Sequence, residues 1–250
     1  MLKQIIRQAT RYFGYEIRNL ASLQPRPATI PAILDGDLYR PLFSPWFGSG
    51  EFRPCYDRAA ARTLVSADRC WVLYCLARQA LHLPGDFWEC GVYRGGTAAL
   101  FKTILETSNS SKKLFLFDTF EGMPETSAVE DFHKKGDFAD TSMQAVREYL
   151  GPGEACVFRP GLIPDSFAGL EGNKIAFAHI DVDIYHAILD SMAFIWPRLA
   201  DGGFVVFDDY GFPTCPGARK AVDEFFRDQS CVPLCLPTGQ ALVFKSHPSA

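Results

Sequence analysis

Two segments decide how this chain reads: Ile180-Asp181-Val182-Asp183 and Phe207-Asp208-Asp209-Tyr210. Each acidic pair closes an apolar run, Ile175-Ala176-Phe177-Ala178 before the first and Gly203-Phe204-Val205-Val206-Phe207 before the second. Runs of this length, rich in β-branched and aromatic residues, predict buried strands. Between them, Ile188, Leu189, Met192, Ile195, Trp196 and Leu199 recur at helical spacing. Strand, helix and strand in succession give two parallel strands in one sheet, joined by a right-handed crossover. Both carboxyl ends then lie at one sheet edge, where open α/β sheets bind their ligands. Four carboxylates gathered there repel one another unless a proton or a cation neutralises them. The leading reading is a divalent metal site; the competing one is that each pair caps the segment after it.

Upstream, Asp86-Phe87-Trp88-Glu89-Cys90 is a strand pattern that runs into Gly91, Gly95 and Gly96, and a helical pattern follows from Thr97 to Leu105. Glycines after a first strand let a ligand approach the backbone, and the next helix offers free N–H groups. The spacing G-x-x-x-G-G departs from the dinucleotide fingerprint G-x-G-x-x-G. A second strand, Lys113 to Phe117, ends in Asp118, where a carboxylate can accept hydrogen bonds from ribose hydroxyls. Glu89 adds a carboxylate beneath the turn, which suits a cationic ligand better than a pyrophosphate. A sulfonium nucleoside satisfies both acids, whereas a turn that serves only the fold would need neither. Trp88 and Tyr93 read as packing groups, His179 as a hydrogen-bonded core residue and His133 as an exposed loop residue.

The remaining pattern alternates β and α. Residues 58–81 read as one helix, ended by Pro84-Gly85; Thr141 or Ser142 caps a helix reaching Leu150. A short strand at 155–158, a helical turn at 165–170 and a helix at 216–227 follow. Strands at 232–236 and 241–245 are joined by a tight turn, so one of them runs antiparallel. The expectation is a doubly wound, Rossmann-like α/β fold with a sheet of seven mostly parallel strands. Ahead of it, residues 2–20 make an amphipathic helix, with Leu2, Ile5, Ile6, Ala9 and Phe13 opposite Lys3, Arg7 and Arg11. Residues 21–56 are proline-rich, aromatic and irregular. The division expected is an arm or lid at 1–57 and a catalytic domain at 58–250. The arm packs on its own domain or on a second copy, hence a homo-oligomer; contact with a membrane surface is the alternative.

A chain of 250 residues with 48% hydrophobic content can bury a sizeable core, and a net charge of −4 argues against a nucleic-acid partner. No run approaches the roughly 18–20 apolar residues that span a bilayer, so no membrane insertion is expected. Basic residues interrupt any signal-peptide core. The eight cysteines include no CxxC pair, which points to a reducing, cytoplasmic setting.

Four stretches together resemble the macrocin O-methyltransferase family: Glu89-Cys90-Gly91-Val92-Tyr93-Arg94-Gly95-Gly96, Asp118-Thr119-Phe120-Glu121-Gly122-Met123-Pro124, His179-Ile180-Asp181-Val182-Asp183-Ile184-Tyr185 and Gly202 to Tyr210. The resemblance spans about residues 58–245. It implies a methyltransferase sheet and methylation of sugar hydroxyls on antibiotic glycosides, with S-adenosylmethionine and Mg2+. It implies that Glu89, Gly91, Tyr93, Arg94, Gly95 and Gly96 hold the methionine end of the cofactor and that Asp118, with Thr119 beside it, holds the ribose. It implies Asp181, Asp208 and Asp209 as metal ligands and Asp183 as general base. Asp181 and Asp183, two apart, fall on one side of an extended segment, so one can ligate while the other faces the acceptor. Two other functions compete: a nicotinamide-dependent sugar oxidoreductase, which lacks its fingerprint here, and a non-catalytic nucleoside- or metal-binding module.

Overall fold

Residue pattern and backbone agree along most of the chain. The computed structural model describes residues 44–48 and 50–246; the helix expected at 2–20 and most of the segment 21–56 lie outside the described residues. Helix α1 (Phe52–Ala60) and α2 (Ala67–Ala80) precede strand β1 (Asp86–Cys90). Then follow α3 (Gly96–Thr107), β2 (Leu114–Asp118), α4 (Met143–Leu150), β3 (Cys156–Pro160) and β4 (Ile175–Ile180). The chain closes with α5 (Tyr185–Arg198), β5 (Leu199–Phe207), α6 (Pro216–Phe226), β6 (Leu234–Cys235) and β7 (Ala241–Phe244).

Two details differ from the sequence reading. The single helix expected over 58–81 is two helices, with a break at residues 61–66. The first of them begins at Phe52, inside the segment read as irregular. Pro54 misled that reading: it sits in the first turn of α1, where no intrahelical N–H is needed. Phe52, Cys55 and Ala59 line one face of α1 and are buried against the main core.

The seven strands form one sheet in the order β3-β2-β1-β4-β5-β7-β6. All neighbouring pairs from β3 to β5 are parallel, and β7 runs antiparallel to both β5 and β6. The reversed strand expected at the end of the chain is therefore β7. Alternate side chains of each buried strand enter two cores. Phe87 and Phe101 both meet Phe177 on one side, and Trp88 lies among Phe117, Phe167 and Phe194 on the other. Trp88 is fully buried, as expected of a packing group.

The register places the site. Cys90 pairs with Phe117 of β2 and Ile180 of β4, and Ile180 pairs with Phe207 of β5. The next residue of each strand is then Gly91, Asp118, Asp181 and Asp208, side by side at the carboxyl edge. Hydrogen bonds continue the ladder into this row: Gly91 N–H to Phe117 O at 2.9 Å, Asp181 N–H to Cys90 O at 2.8 Å and Asp208 N–H to Ile180 O at 2.9 Å. Strand order reverses between β1 and β4, the crevice where doubly wound sheets bind ligands.

Candidate active site

A cavity of about 510 Å³ opens over that edge, lined from the first half of the sheet by Gly91, Tyr93, Gly96, Asp118 and Thr119. From the second half, Asp181, Asp183, Asp208 and Asp209 enter the same cavity. Its size is that of a small-molecule site.

Carboxylate oxygens of Asp181, Asp208 and Asp209 all lie within 4.8 Å of one another. Asp208 and Asp209 are buried. Burial, followed by the charge of Asp208, pushes the Asp181 carboxyl well above its ordinary range; burial and the charges of Asp183 and Asp181 do the same to Asp209. Asp208 moves the other way. Burial opposes its charge, but His179, Arg69 and Gln240 outweigh it. Arg69 of α2 bonds Asp208 Oδ2, and Gln240 Nε2 donates to Oδ1 at 2.8 Å. Neither partner was legible in the sequence, since 139 residues separate Arg69 from Asp208.

Asp183 and Asp181 both line the cavity, but Asp183 has partners of its own. Its φ of +59° is left-handed rather than extended, so the two-residue alternation expected for this segment fails. The turn sends its carboxylate toward His133 and Cys215: Cys215 Sγ donates to Asp183 Oδ1 at 3.3 Å and His133 Nε2 lies 3.6 Å from the same oxygen. His133 is thus a site residue, not the exposed loop residue expected. Its side chain is 20% exposed, and Nδ1 meets Asp137 Oδ2 at 3.2 Å. The backbone N–H of Asp183 donates to Asp209 Oδ2 at 3.0 Å, which couples this cluster to the acidic trio.

The glycine turn is built more by the chain than for a ligand alone. A Cβ on Gly91 would sit 1.8 Å from the Asp181 carbonyl oxygen, and one on Gly96 would sit 2.4 Å from Thr63 N. Gly95 adopts φ +83° and abuts Val146 of α4. Asp118 closes the turn from below: Oδ2 accepts from Val92 N at 2.7 Å and Tyr93 N at 2.8 Å, and Oδ1 accepts from Phe120 N at 2.6 Å. Arg94 and Tyr93 reach away to the loop: the Tyr93 hydroxyl donates to Asp140 Oδ1 at 2.7 Å, and Arg94 pairs with the other Asp140 oxygen. Glu89 is fully buried beneath the turn, with Oε1 3.2 Å from His179 Nδ1 and Oε2 without a hydrogen-bond partner. Burial raises the Glu89 carboxyl. For His179, burial works against the charged form, yet Asp208 and Glu89 on either side push its pKa up to about 10.

The sequence profile of the Macrocin-O-methyltransferase (TylF) family matches residues 55–235. The chain belongs to the macrocin O-methyltransferase family. It is therefore an O-methyltransferase by family, and the match spans the glycine turn, Asp118 and the acidic pairs. Within 181 residues, this family member is 30% identical to the 8-demethyl-8-(2,3-dimethoxy-alpha-L-rhamnosyl)-tetracenomycin-C 4'-O-methyltransferase of Streptomyces olivaceus, over 67% of this chain and 68% of that one. The O-methyltransferase NovP has the same fold, with a TM-score of 0.68 at 24% identity over 74% of this chain and 83% of that one. TomG, an O-methyltransferase from Streptomyces achromogenes involved in tomaymycin synthesis, is solved in complex with S-adenosylmethionine; it superposes with a TM-score of 0.50 at 14% identity over 80% of this chain and 92% of that one. Among the described residues, no helix is long and apolar enough to cross a membrane.

Proposed function

We propose that this family member transfers the methyl group of S-adenosylmethionine to a hydroxyl of a sugar or glycosylated natural product, with Mg2+ held by Asp181, Asp208 and Asp209. One observation carries the reading: three crowded carboxylates and the glycine turn with Asp118 line a single cavity. The trio is all oxygen and anionic, the donor set magnesium prefers, and its crowding calls for a cation. The rhamnosyl-tetracenomycin relative supports a sugar acceptor, and the bound donor in TomG supports the choice of cofactor. Family membership sets aside the nicotinamide reading and the non-catalytic module.

When bound, S-adenosylmethionine supplies an electrophilic methyl group, and Mg2+ supplies a Lewis acid that also orients the acceptor's oxygens. The chain's own residues do the rest. Gly91, Tyr93, Gly95 and Gly96 shape the donor end at the start of α3, with Asp118 and Thr119 beside them for the ribose. Glu89 acts on that end through its charge beneath the turn, and Arg94 through its hold on Asp140. Asp183 takes the proton from the attacking hydroxyl; burial raises its carboxyl and so strengthens it as a base. A cytoplasmic, reducing setting belongs to the same proposal. All eight cysteines are free, and the Cys215 thiol serves as a donor to Asp183, a role a disulfide would remove. The test is a methyl-donor assay on a panel of glycosides and catechols, read by mass shift. Methylation of a glycoside that stops with a strong chelator is the expected result; undiminished turnover in chelator would remove the metal from the account.

A further inference from the structure

Beside the acidic trio lies a second cluster of different chemistry. His133 Nε2, Asp183 Oδ1 and Cys215 Sγ all lie within 4.8 Å of one another, and all three residues line the cavity. Their separations are 3.3 Å for sulfur to oxygen, 3.6 Å for nitrogen to oxygen and 3.7 Å for sulfur to nitrogen. Zinc takes nitrogen, oxygen and thiolate sulfur at about 2.0–2.3 Å in a tetrahedron, which sets donors about 3.3–3.6 Å apart. Octahedral magnesium at about 2.1 Å sets neighbouring oxygens about 3.0 Å apart and has little use for sulfur. The three atoms therefore already stand near three corners of a zinc tetrahedron.

We propose that His133, Asp183 and Cys215 form a second metal site, selective for a thiophilic divalent cation such as Zn2+, with its fourth position open to the cavity. Second-neighbour contacts fit. The other nitrogen of His133 meets Asp137 Oδ2 at 3.2 Å, the carboxylate–histidine–metal arrangement that fixes the tautomer and ring orientation. The thiol proton now lies between Cys215 Sγ and Asp183 Oδ1, where the cation would sit; binding displaces it to solvent and leaves a thiolate ligand. The same residues also have the composition of a thiol–imidazole–carboxylate nucleophile. That reading fails on charge: burial and the nearby Asp209 and Asp183 carboxylates hold the thiol protonated. A metal supplies the charge this cluster lacks. If Asp183 is the general base, as proposed above, zinc occupancy engages its carboxylate and stops methyl transfer.

Co2+ is the probe, because a thiolate–cobalt bond gives a charge-transfer absorption that oxygen ligands do not. Chelator-stripped full-length protein, saturated with Mg2+, is titrated with Co2+. One equivalent should develop the band, Zn2+ should bleach it, Cys215→Ser should abolish it and His133→Ala should weaken Co2+ binding at least tenfold. Asp181→Asn, which damages the trio, should keep the band, and melting curves show that each variant is folded. No band in wild type, or an unchanged band in folded Cys215→Ser, overturns the site. With a glycoside that scores in the methylation assay, one equivalent of Zn2+ over saturating Mg2+ should cut turnover at least tenfold, and His133→Ala should resist it. A cobalt band without zinc inhibition overturns the link to Asp183 while the Mg2+-dependent activity stands.

Discussion

Asp181 and Asp183 are two residues apart and have different neighbours: Asp181 sits with Asp208 and Asp209, Asp183 with His133 and Cys215. Their substitutions should therefore behave differently. Asp183→Asn should lower turnover by roughly 10²–10⁴-fold, the usual worth of a general base, with magnesium affinity nearly unchanged. Asp181→Asn, Asp208→Asn and Asp209→Asn should each weaken magnesium binding in calorimetry, and added magnesium should recover part of the activity. Rescue of Asp183→Asn by magnesium would make it a ligand instead. The raised carboxyls of Asp181 and Asp209 set a pH dependence. Folded metal-free protein holds these protons to higher pH than the unfolded chain, so its stability falls as pH rises from the ordinary carboxylate range through the raised values. Magnesium must displace the same protons, so its binding strengthens over that window. The melting shift caused by magnesium should be larger at pH 8 than at pH 5.5; an equal shift at both would count against ligation by these two. At this scale the sequence disclosed the four aspartates, because each pair follows an apolar strand. It could not disclose Arg69, His133 or Cys215, whose importance comes from chain segments 139, 50 and 32 residues away from their aspartate partners.

Among elements, the join between β1 and β4 matters most. Gly91 adopts φ +86°, and its missing Cβ leaves room for the Asp181 carbonyl. Gly91→Ala combines a left-handed backbone cost of about 1–2 kcal/mol with that clash. The expected result is a drop in the urea midpoint and weaker binding of both S-adenosylmethionine and magnesium; loss of the donor alone would show that the two halves are not joined through this contact. Strands were legible because buried parallel strands are near-continuous apolar runs, as in Phe204 to Phe207. The break between α1 and α2 was not. Arg62-Thr63-Leu64-Val65-Ser66 carries no glycine or proline, and its course is set by Thr63 lying over Gly96, a contact only the folded chain supplies. The start of α1 was hidden by Pro54, a residue that forbids helix interiors but not first turns.

For the whole molecule, the doubly wound sheet gathers a site from residues 62 to 215 along one edge. The aromatic, proline-rich arm before it is proposed to contact a second copy. Light scattering at micromolar concentration should then return at least twice the 27.9 kDa chain mass, and a monomer mass would remove that proposal. The backbone bond from Asp181 to Cys90 and the close fit at Gly91 hold the donor and metal ends of this edge at one fixed spacing. Around them, residues 122–125 and 161–163 supply loop-borne wall. Exchanging these loops between family members should therefore retarget the acceptor while leaving the methylating centre in place, so that a new glycoside specificity becomes a matter of transplanting rims rather than rebuilding an enzyme.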